Sequence, residues 1–322
     1  MSNVIVYAEI DDGLINDISL QCMAVARGIA EQNGGKVICL AAGADISAPA
    51  QSLFGYGADA VFAAENPDLK GYVARPYVAA VSSWIAAQEA PIVLFPASTL
   101  GSDLAAAVSA KLAAPVVIDC DSVAFTEGGA VLKRTEFDRK VMTKFAPVAG
   151  KPVFAALRDG IADVPALDDS KSGSVESVAV DIPDTEKLAK VLERNVARKT
   201  VNLKDAKIIV AGGAGIGTAE DFELVKEFAA KLDAEIGATR AVVDAGWVPA
   251  DHQIGQTGAT VKPDLYIGIG ISGAVQHRVG MCDAQKIVAI NTDANAPIFH
   301  VAHYKVVGDF KEVLPKLLKM IG

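Results

Sequence analysis

Short, almost unbroken apolar runs alternate with stretches of helical apolar spacing through the first hundred positions of the chain. Val4-Ile5-Val6-Tyr7-Ala8-Glu9, VICLAAG at 37–43, AVFAAE at 60–65 and PIVLFPAS at 91–98 read as strands, with helices over 17–32 and 72–88. A strand that is apolar along its whole length is buried on both faces, so the pattern predicts a parallel sheet covered by helices. Ser102-Asp103-Leu104 leads into a further helix with Leu104, Val108 and Leu112 on one stripe. Then the rhythm changes. Four strand-like runs follow in succession, at 116–125, 129–137, 140–148 and 151–158, and predict an antiparallel extension or edge rather than more crossovers.

Between 159 and 200 the composition shifts. Eight carboxylates face three lysines from Asp159 to Lys190, SKSGS occupies 170–174, and the basic ERNVARK occupies 193–199, which together read as a connector with one strand at 175–180. Strand-like runs resume with KIIVA at 207–211, LYIGIG at 265–270, KIVAI at 286–290 and PIFHVA at 297–302. Helices from Thr218 to Leu232, from Ser272 and from Asp309 separate or follow them. The expectation is therefore an α/β chain of two domains. Residues 1–195 form an N-terminal parallel-sheet α/β domain with added antiparallel strands, and residues 196–322 a C-terminal open parallel-sheet, Rossmann-like α/β domain. A length of 322 residues suits two cores better than one.

Composition narrows the function classes. With 51% hydrophobic and 21% charged residues the chain is no disordered polymer, and its apolar runs are too short to cross a bilayer. Met1-Ser2-Asn3 runs directly into the first strand without a basic, then apolar, leader, so a soluble protein is expected, cytoplasmic in a bacterium. A formal charge of −9 without a long Lys/Arg block argues against nucleic acid as a partner. Cys22, Cys39, Cys120 and Cys282 lack CxxC or cysteine–histidine ligand spacing and read as reduced core residues; no metal is expected.

The candidate chemistry is concentrated between Thr239 and Asn291, where TRAVVDAGWVPADHQIGQTG, LYIGIGISGAVQH and IVAIN place small and polar residues at turn positions. Glycines at 255, 258, 268, 270 and 273 let backbone approach a ligand, and Arg240, Gln256, Thr257, Ser272, Gln276 and His277 supply donors. Ser272 is placed to cap a helix running to Gly280, and the same helix start, through the N–H groups of Gly273, Ala274 and Val275, is suited to an anion. Gly212-Gly213-Ala214-Gly215-Ile216-Gly217 follows a strand and precedes a helix that Thr218 can cap. It looks like a dinucleotide fingerprint but lacks a convincing ribose-binding acid about 20 residues on. Asn291 is a turn former at a strand end, and Asp309 an N-cap.

These segments, in this order, resemble the α subunit of electron transfer flavoproteins, the ETF-alpha/FixB family, closely over the last 120 or so residues and in organisation before that. The resemblance implies one FAD in this chain. It puts Arg240, after Thr239, over the isoalloxazine, where a fixed positive charge favours the reduced ring. It has His277 donating toward the C2 carbonyl and N1 edge, and Gln253, Ile254, Gly255, Gln256 and Thr257 reaching the other edge and N5, so that Arg240, His277 and Thr257 tune the potential. It gives the pyrophosphate to Ser272, Gly273, Ala274 and Val275, counts Gln276 among the cofactor contacts, and gives the adenosine part to Asn291, Asp309 and Phe310. Ala214 stands where the family carries an arginine. Further implications are a β subunit as heterodimer partner, holding AMP or a second FAD, and electron transport from flavoprotein dehydrogenases to a quinone reductase or other acceptor. No substrate chemistry of the chain's own is expected. The competing classes are a nicotinamide- or flavin-dependent dehydrogenase, for which no separate general acid or base presents itself, and a non-catalytic nucleotide-binding module.

Overall fold

The structure, a computed structural model, describes residues 3–126, 129–137, 140–146, 148, 150–195, 201–204 and 206–321. The chain divides into two compact units, Met1–Arg194 and Asn195–Gly322.

In the first unit the elements run β1 (Val4–Tyr7), β2 (Ile10–Asp11), β3 (Leu14–Ile15), α1 (Asp17–Asn33), β4 (Val37–Gly43), α2 (Ser47–Ala50), β5 (Ala60–Glu65), α3 (Ala74–Ala86), β6 (Ile92–Pro96), α4 (Thr99–Lys111) and β7 (Val116–Cys120). There follow β8 (Ser122–Thr126), β9 (Gly129–Glu136), β10 (Val141–Phe145), β11 (Val153–Leu157) and β12 (Glu176–Ser177). Seven strands form one sheet in the order β12-β5-β4-β1-β6-β11-β7, with every pairing parallel. The strand period of two sorts the side chains: Val4 and Val6 pack in one core with Leu20 and Met23 of α1, while Ile5 and Tyr7 pack in the other with Val81 of α3 and Leu104 of α4. Asn16 caps α1 by accepting from the Ile18 N–H at 2.9 Å.

Two expectations for this unit are corrected. The four runs after α4 are not all antiparallel: β8, β9 and β10 form a separate three-stranded antiparallel sheet, but β7 and β11 join the parallel one, β11 lying between β6 and β7. Neighbouring parallel strands need a crossover, and here an antiparallel meander takes the place of the usual helix. The helix α4 starts at Thr99, capped by Ser98, whose hydroxyl accepts from Gly101 N–H at 2.8 Å, and not at Ser102-Asp103.

The second unit contains β13 (Ile208–Gly212), α5 (Ala219–Lys231), β14 (Glu235–Ala238), α6 (Arg240–Asp244), β15 (Leu265–Ile269), α7 (Val275–Arg278), β16 (Lys286–Asn291), β17 (Tyr304–Val307) and α8 (Phe310–Ile321). Its five strands are parallel, in the order β14-β13-β15-β16-β17. Counted along this unit that is 2-1-3-4-5, a doubly wound order whose direction reverses between β13 and β15. Phe222 and Phe228 of α5 pack with Phe310 and Leu314 of α8 on one face, and Ile209, Tyr266 and Ile287 line the core on the other. Thr218 caps α5 as its sequence position implies, accepting from Asp221 N–H at 3.1 Å.

Here three sequence expectations change. PIFHVA is no strand: Pro297–His300 is a 3-10 turn with Pro297 in its first turn, where the missing N–H costs nothing, and the edge strand is Tyr304–Val307. EIGA at 235–238 is a strand that its short, glycine-containing sequence did not reveal. The helix expected from Ser272 shrinks to the single turn Val275–Arg278, with Ala274 at its N-cap and no side-chain capping bond.

Candidate functional site

The polar residues singled out in the second unit follow the carboxyl ends of its strands, and the loops there are laced together by backbone bonds. Gly213 N–H donates to Ile269 O at 2.9 Å and Gly215 N–H to Gly270 O at 2.9 Å, joining the loops after β13 and β15 across the switch point. Thr239 N–H donates to Gly212 O at 3.0 Å, and Ile298 N–H to Ser272 O at 3.0 Å. The glycines make this lacing possible. A Cβ on Gly273, at φ 85°, would lie 2.1 Å from Ile298 N, and one on Gly255, at φ 140°, 2.6 Å from Gln276 O. A Cβ on Gly258 would likewise meet Gln253 O at 2.3 Å. At these three positions the space a side chain would need is filled by the protein's own backbone.

What the lacing leaves open is a row of donors. None of the amide N–H groups of Ser272, Gly273, Ala274 and Val275 has an acceptor among the described residues. Ser272, Ala274 and Gln276 are exposed. Successive unpaired amides on a glycine-bent loop at a switch point form a concavity suited to an anion, and α7 is too short for a helix dipole to be the main contributor. Asn291 holds the loop in place: its Nδ2 donates to Ile271 O at 2.9 Å while its Oδ1 accepts from Asp293 N–H at 3.0 Å.

A second group lies along 253–257. Ile254 is buried and its N–H donates to Ala238 O at 2.9 Å; Gln256 N–H donates to Gln276 O at 2.7 Å; Gln253 Nε2 donates to Thr257 Oγ1 at 2.9 Å. Gln256 and Thr257 are exposed. Backbone bonds therefore bring 253–257 to the end of β14 and to α7.

His277 is 7% exposed, its Nδ1 lies 3.0 Å from Ile254 O and its Nε2 2.8 Å from the Tyr266 hydroxyl. A carbonyl only accepts, so Nδ1 carries the proton. Burial pushes the imidazole pKa down to about 4, so the ring is neutral at pH 7 and Nε2 accepts from the tyrosine. With both nitrogens engaged within the protein, the ring would have to exchange one of these bonds to donate to a ligand, and its donor role toward the flavin stays what the resemblance implies. Tyr266 was missed by sequence reasoning. A tyrosine inside an otherwise aliphatic strand was the available signal, since a buried hydroxyl needs a partner.

The remaining positions are placed as follows. The Arg240 side chain is 70% exposed and pairs with Asp244 at 3.3 Å. Thr239, half-buried, occupies the N-cap position of α6 without a side-chain capping bond. Asp309 accepts from Lys311 N–H at 2.9 Å at the start of α8, and Phe310 is buried in the core. Ala214 is exposed in a 3-10 turn and offers only backbone there. Cys22, Cys39 and Cys120 are buried and Cys282 half-buried, and among the described residues none of them forms a disulfide. Among the described residues no helix is long and apolar enough to cross a membrane.

A doubly wound sheet with unpaired amides at its switch point is the kind of domain that binds a phosphate-bearing cofactor. Comparison with known proteins specifies the cofactor. Residues 202–282 match the electron transfer flavoprotein FAD-binding domain, and residues 4–183 the electron transfer flavoprotein domain. The chain is 36% identical to an electron transfer flavoprotein subunit alpha of Thermoanaerobacterium thermosaccharolyticum, over 98% of this chain and 96% of that protein. It is 38% identical to one of Bacillus subtilis, over 98% and 95% of the two chains, and 38% identical to a protein FixB of Clostridium saccharobutylicum, over 97% and 94%. The chain belongs to the electron transfer flavoprotein family, on the α-subunit side, and is an FAD-binding protein of electron transport.

Proposed function

We propose that this chain pairs with a β subunit into a heterodimer that takes electrons from flavoprotein dehydrogenases and passes them to a quinone reductase or another acceptor, in the cytoplasm if the source is bacterial. It carries electrons and performs no bond chemistry on a substrate. The observation that carries this reading is the row of unpaired amides at 272–275, beside the switch point of the domain whose relatives bind FAD.

Those amides and the Ser272 hydroxyl hold the pyrophosphate. Gln253, Ile254, Gly255, Gln256 and Thr257 line the ring, and Asn291, Asp309 and Phe310 support the adenosine end. The bound flavin supplies reversible electron storage. Arg240 supplies positive charge, which favours the reduced ring; exposed and neutralised by Asp244, it gains most of its effect once the ring or the partner subunit removes it from water. Residues 196–322 hold the FAD in this reading, while residues 1–195 serve assembly, and the β subunit carries AMP or a second FAD.

Expressing the chain with and without the neighbouring-encoded β subunit, then counting flavin and AMP per heterodimer, tests the proposal. One FAD in this chain and electron transfer only in the pair are expected. A monomer fully loaded with flavin and active alone would overturn it.

A further inference from the structure

We propose that Tyr266 is a positioning residue of the FAD site, acting through His277 to hold the Ile254–Thr257 segment against α7. Three ties join that segment to α7: the His277 Nδ1–H bond to Ile254 O at 3.0 Å, the Gln256 N–H bond to Gln276 O at 2.7 Å, and the close approach that lacks a Cβ at Gly255. Two of the three are made by backbone. The third depends on a side chain whose ring can turn about its bonds and whose proton can sit on either nitrogen, so something must fix both.

Tyr266 has the properties needed. It is 0% exposed, and β15 holds its backbone between Ile209 of β13 and Ile287 of β16, so its hydroxyl is a rigid reference point. Burial raises its phenol pKa well above the ordinary value, which keeps it protonated and a donor. The hydroxyl reaches His277 Nε2 at 2.8 Å. A donor at Nε2 selects the tautomer with its proton on Nδ1, the only one that can hold Ile254 O. Hydroxyl, imidazole and carbonyl thus form a buried relay of orientation, with no proton transferred. At its far end lie Gln256 and Thr257, both exposed on the segment assigned to the ring. Removing the hydroxyl strands Nε2 as an unpaired buried acceptor, and the ring escapes that cost by turning away, which releases Ile254.

The proposal rests on the assignment of the 253–257 segment to FAD, so its test separates the two. The full chain is labelled with 15N-histidine and assembled with unlabelled β subunit, so that only its own four histidines report. In the flavin-free protein His277 is expected to carry its proton on Nδ1; a proton on Nε2 would overturn the relay whatever FAD does. In Tyr266→Phe the His277 signals should shift or broaden and the FAD dissociation constant should rise about tenfold, the usual consequence of one stranded buried group. In a His277→Phe background, Tyr266→Phe should change that constant less than about twofold, because residues acting through one another are not additive. Fully additive effects, or an unmoved His277 signal with unchanged affinity, would overturn the proposal. A tautomer as expected, alongside affinity indifferent to changes at Gln256 and Thr257, would instead overturn the assignment of the segment.

Discussion

The two units carry the same kind of crevice and finish it in opposite ways. Each is a doubly wound parallel sheet with a switch point, between β1 and β6 in the first unit and between β13 and β15 in the second. In the first, Glu9 ends up 8% exposed beyond β1, its carboxylate accepting from the Ser98 hydroxyl and from Asn16 Nδ2 at 3.1 Å, while its own N–H donates to Ser19 Oγ at 2.9 Å. The mouth is closed on itself and holds an acceptor. In the second, backbone bonds consume the carbonyls of Ile269, Gly270 and Ser272 and leave four consecutive N–H groups without a partner among the described residues. That mouth holds donors. A phosphate would meet a carboxylate in the first and a row of amides in the second, so topology alone does not make a cofactor site; the sign of what is left unpaired at the switch point does.

The sharpest break of this contrast is Gly273→Ala. The new Cβ would sit 2.1 Å from Ile298 N at a φ of 85°, so the loop must move and its amides with it. A stability loss of about 2–4 kcal/mol and an FAD affinity lowered by roughly two orders of magnitude are expected, read by thermal unfolding and by flavin titration. Glu9→Gln is the matching change in the first unit. It replaces an acceptor by a half-donor facing Asn16, costs about 1–2 kcal/mol, and leaves flavin affinity unaltered. Equal loss of flavin in both variants would erase the distinction between the two mouths.

A second, smaller effect separates the units by pH. The His277 pKa is lowered from 6.5 to about 4 by burial, so between those values the unfolded chain binds more protons than the folded one. Stability from this group is fully present above pH 6.5 and is lost as pH falls through about 4, a change of about 3 kcal/mol before relaxation. Unfolding of the second unit should therefore show a slope between pH 6.5 and 4 that His277→Phe flattens. The slope of the first unit, which contains no histidine, should stay the same in the variant.

How much of this was legible in the sequence follows from the range of the interactions. The runs at 37–43 and 60–65 coincide with β4 and β5 because a buried parallel strand advertises itself in every residue. The caps Thr218 and Asp309 were legible because capping acts over two or three positions. By contrast, β14 is four residues with a glycine, and Pro297–His300 imitates a strand by composition while turning as a helix. The relay from Tyr266 through His277 to Ile254 joins positions 11 and 23 apart, a relation no local periodicity encodes. The glycines were noticed as places where backbone could approach a ligand; at 255, 258 and 273 the close approach in the structure is to the chain itself.

The smallest expected effect concerns Arg240, and it tests whether the second mouth acts on the ring as well as on the phosphates. A guanidinium 70% exposed and 3.3 Å from Asp244 contributes little to any potential while it faces water. If the bound flavin covers it, the ion pair with Asp244 is traded for proximity to the ring, and its charge then favours the reduced state by about 1 kcal/mol or somewhat more. Arg240→Ala in the loaded heterodimer should lower the flavin midpoint potential, with Arg240→Lys recovering part of it because the charge returns without the planar group. Asp244→Asn should raise the potential slightly, since it removes the competing carboxylate. Spectroelectrochemical titration of the three variants decides the matter. If alanine and lysine give the wild-type potential while flavin content is unchanged, Arg240 remains a surface ion pair and the work of the second mouth ends at the phosphates.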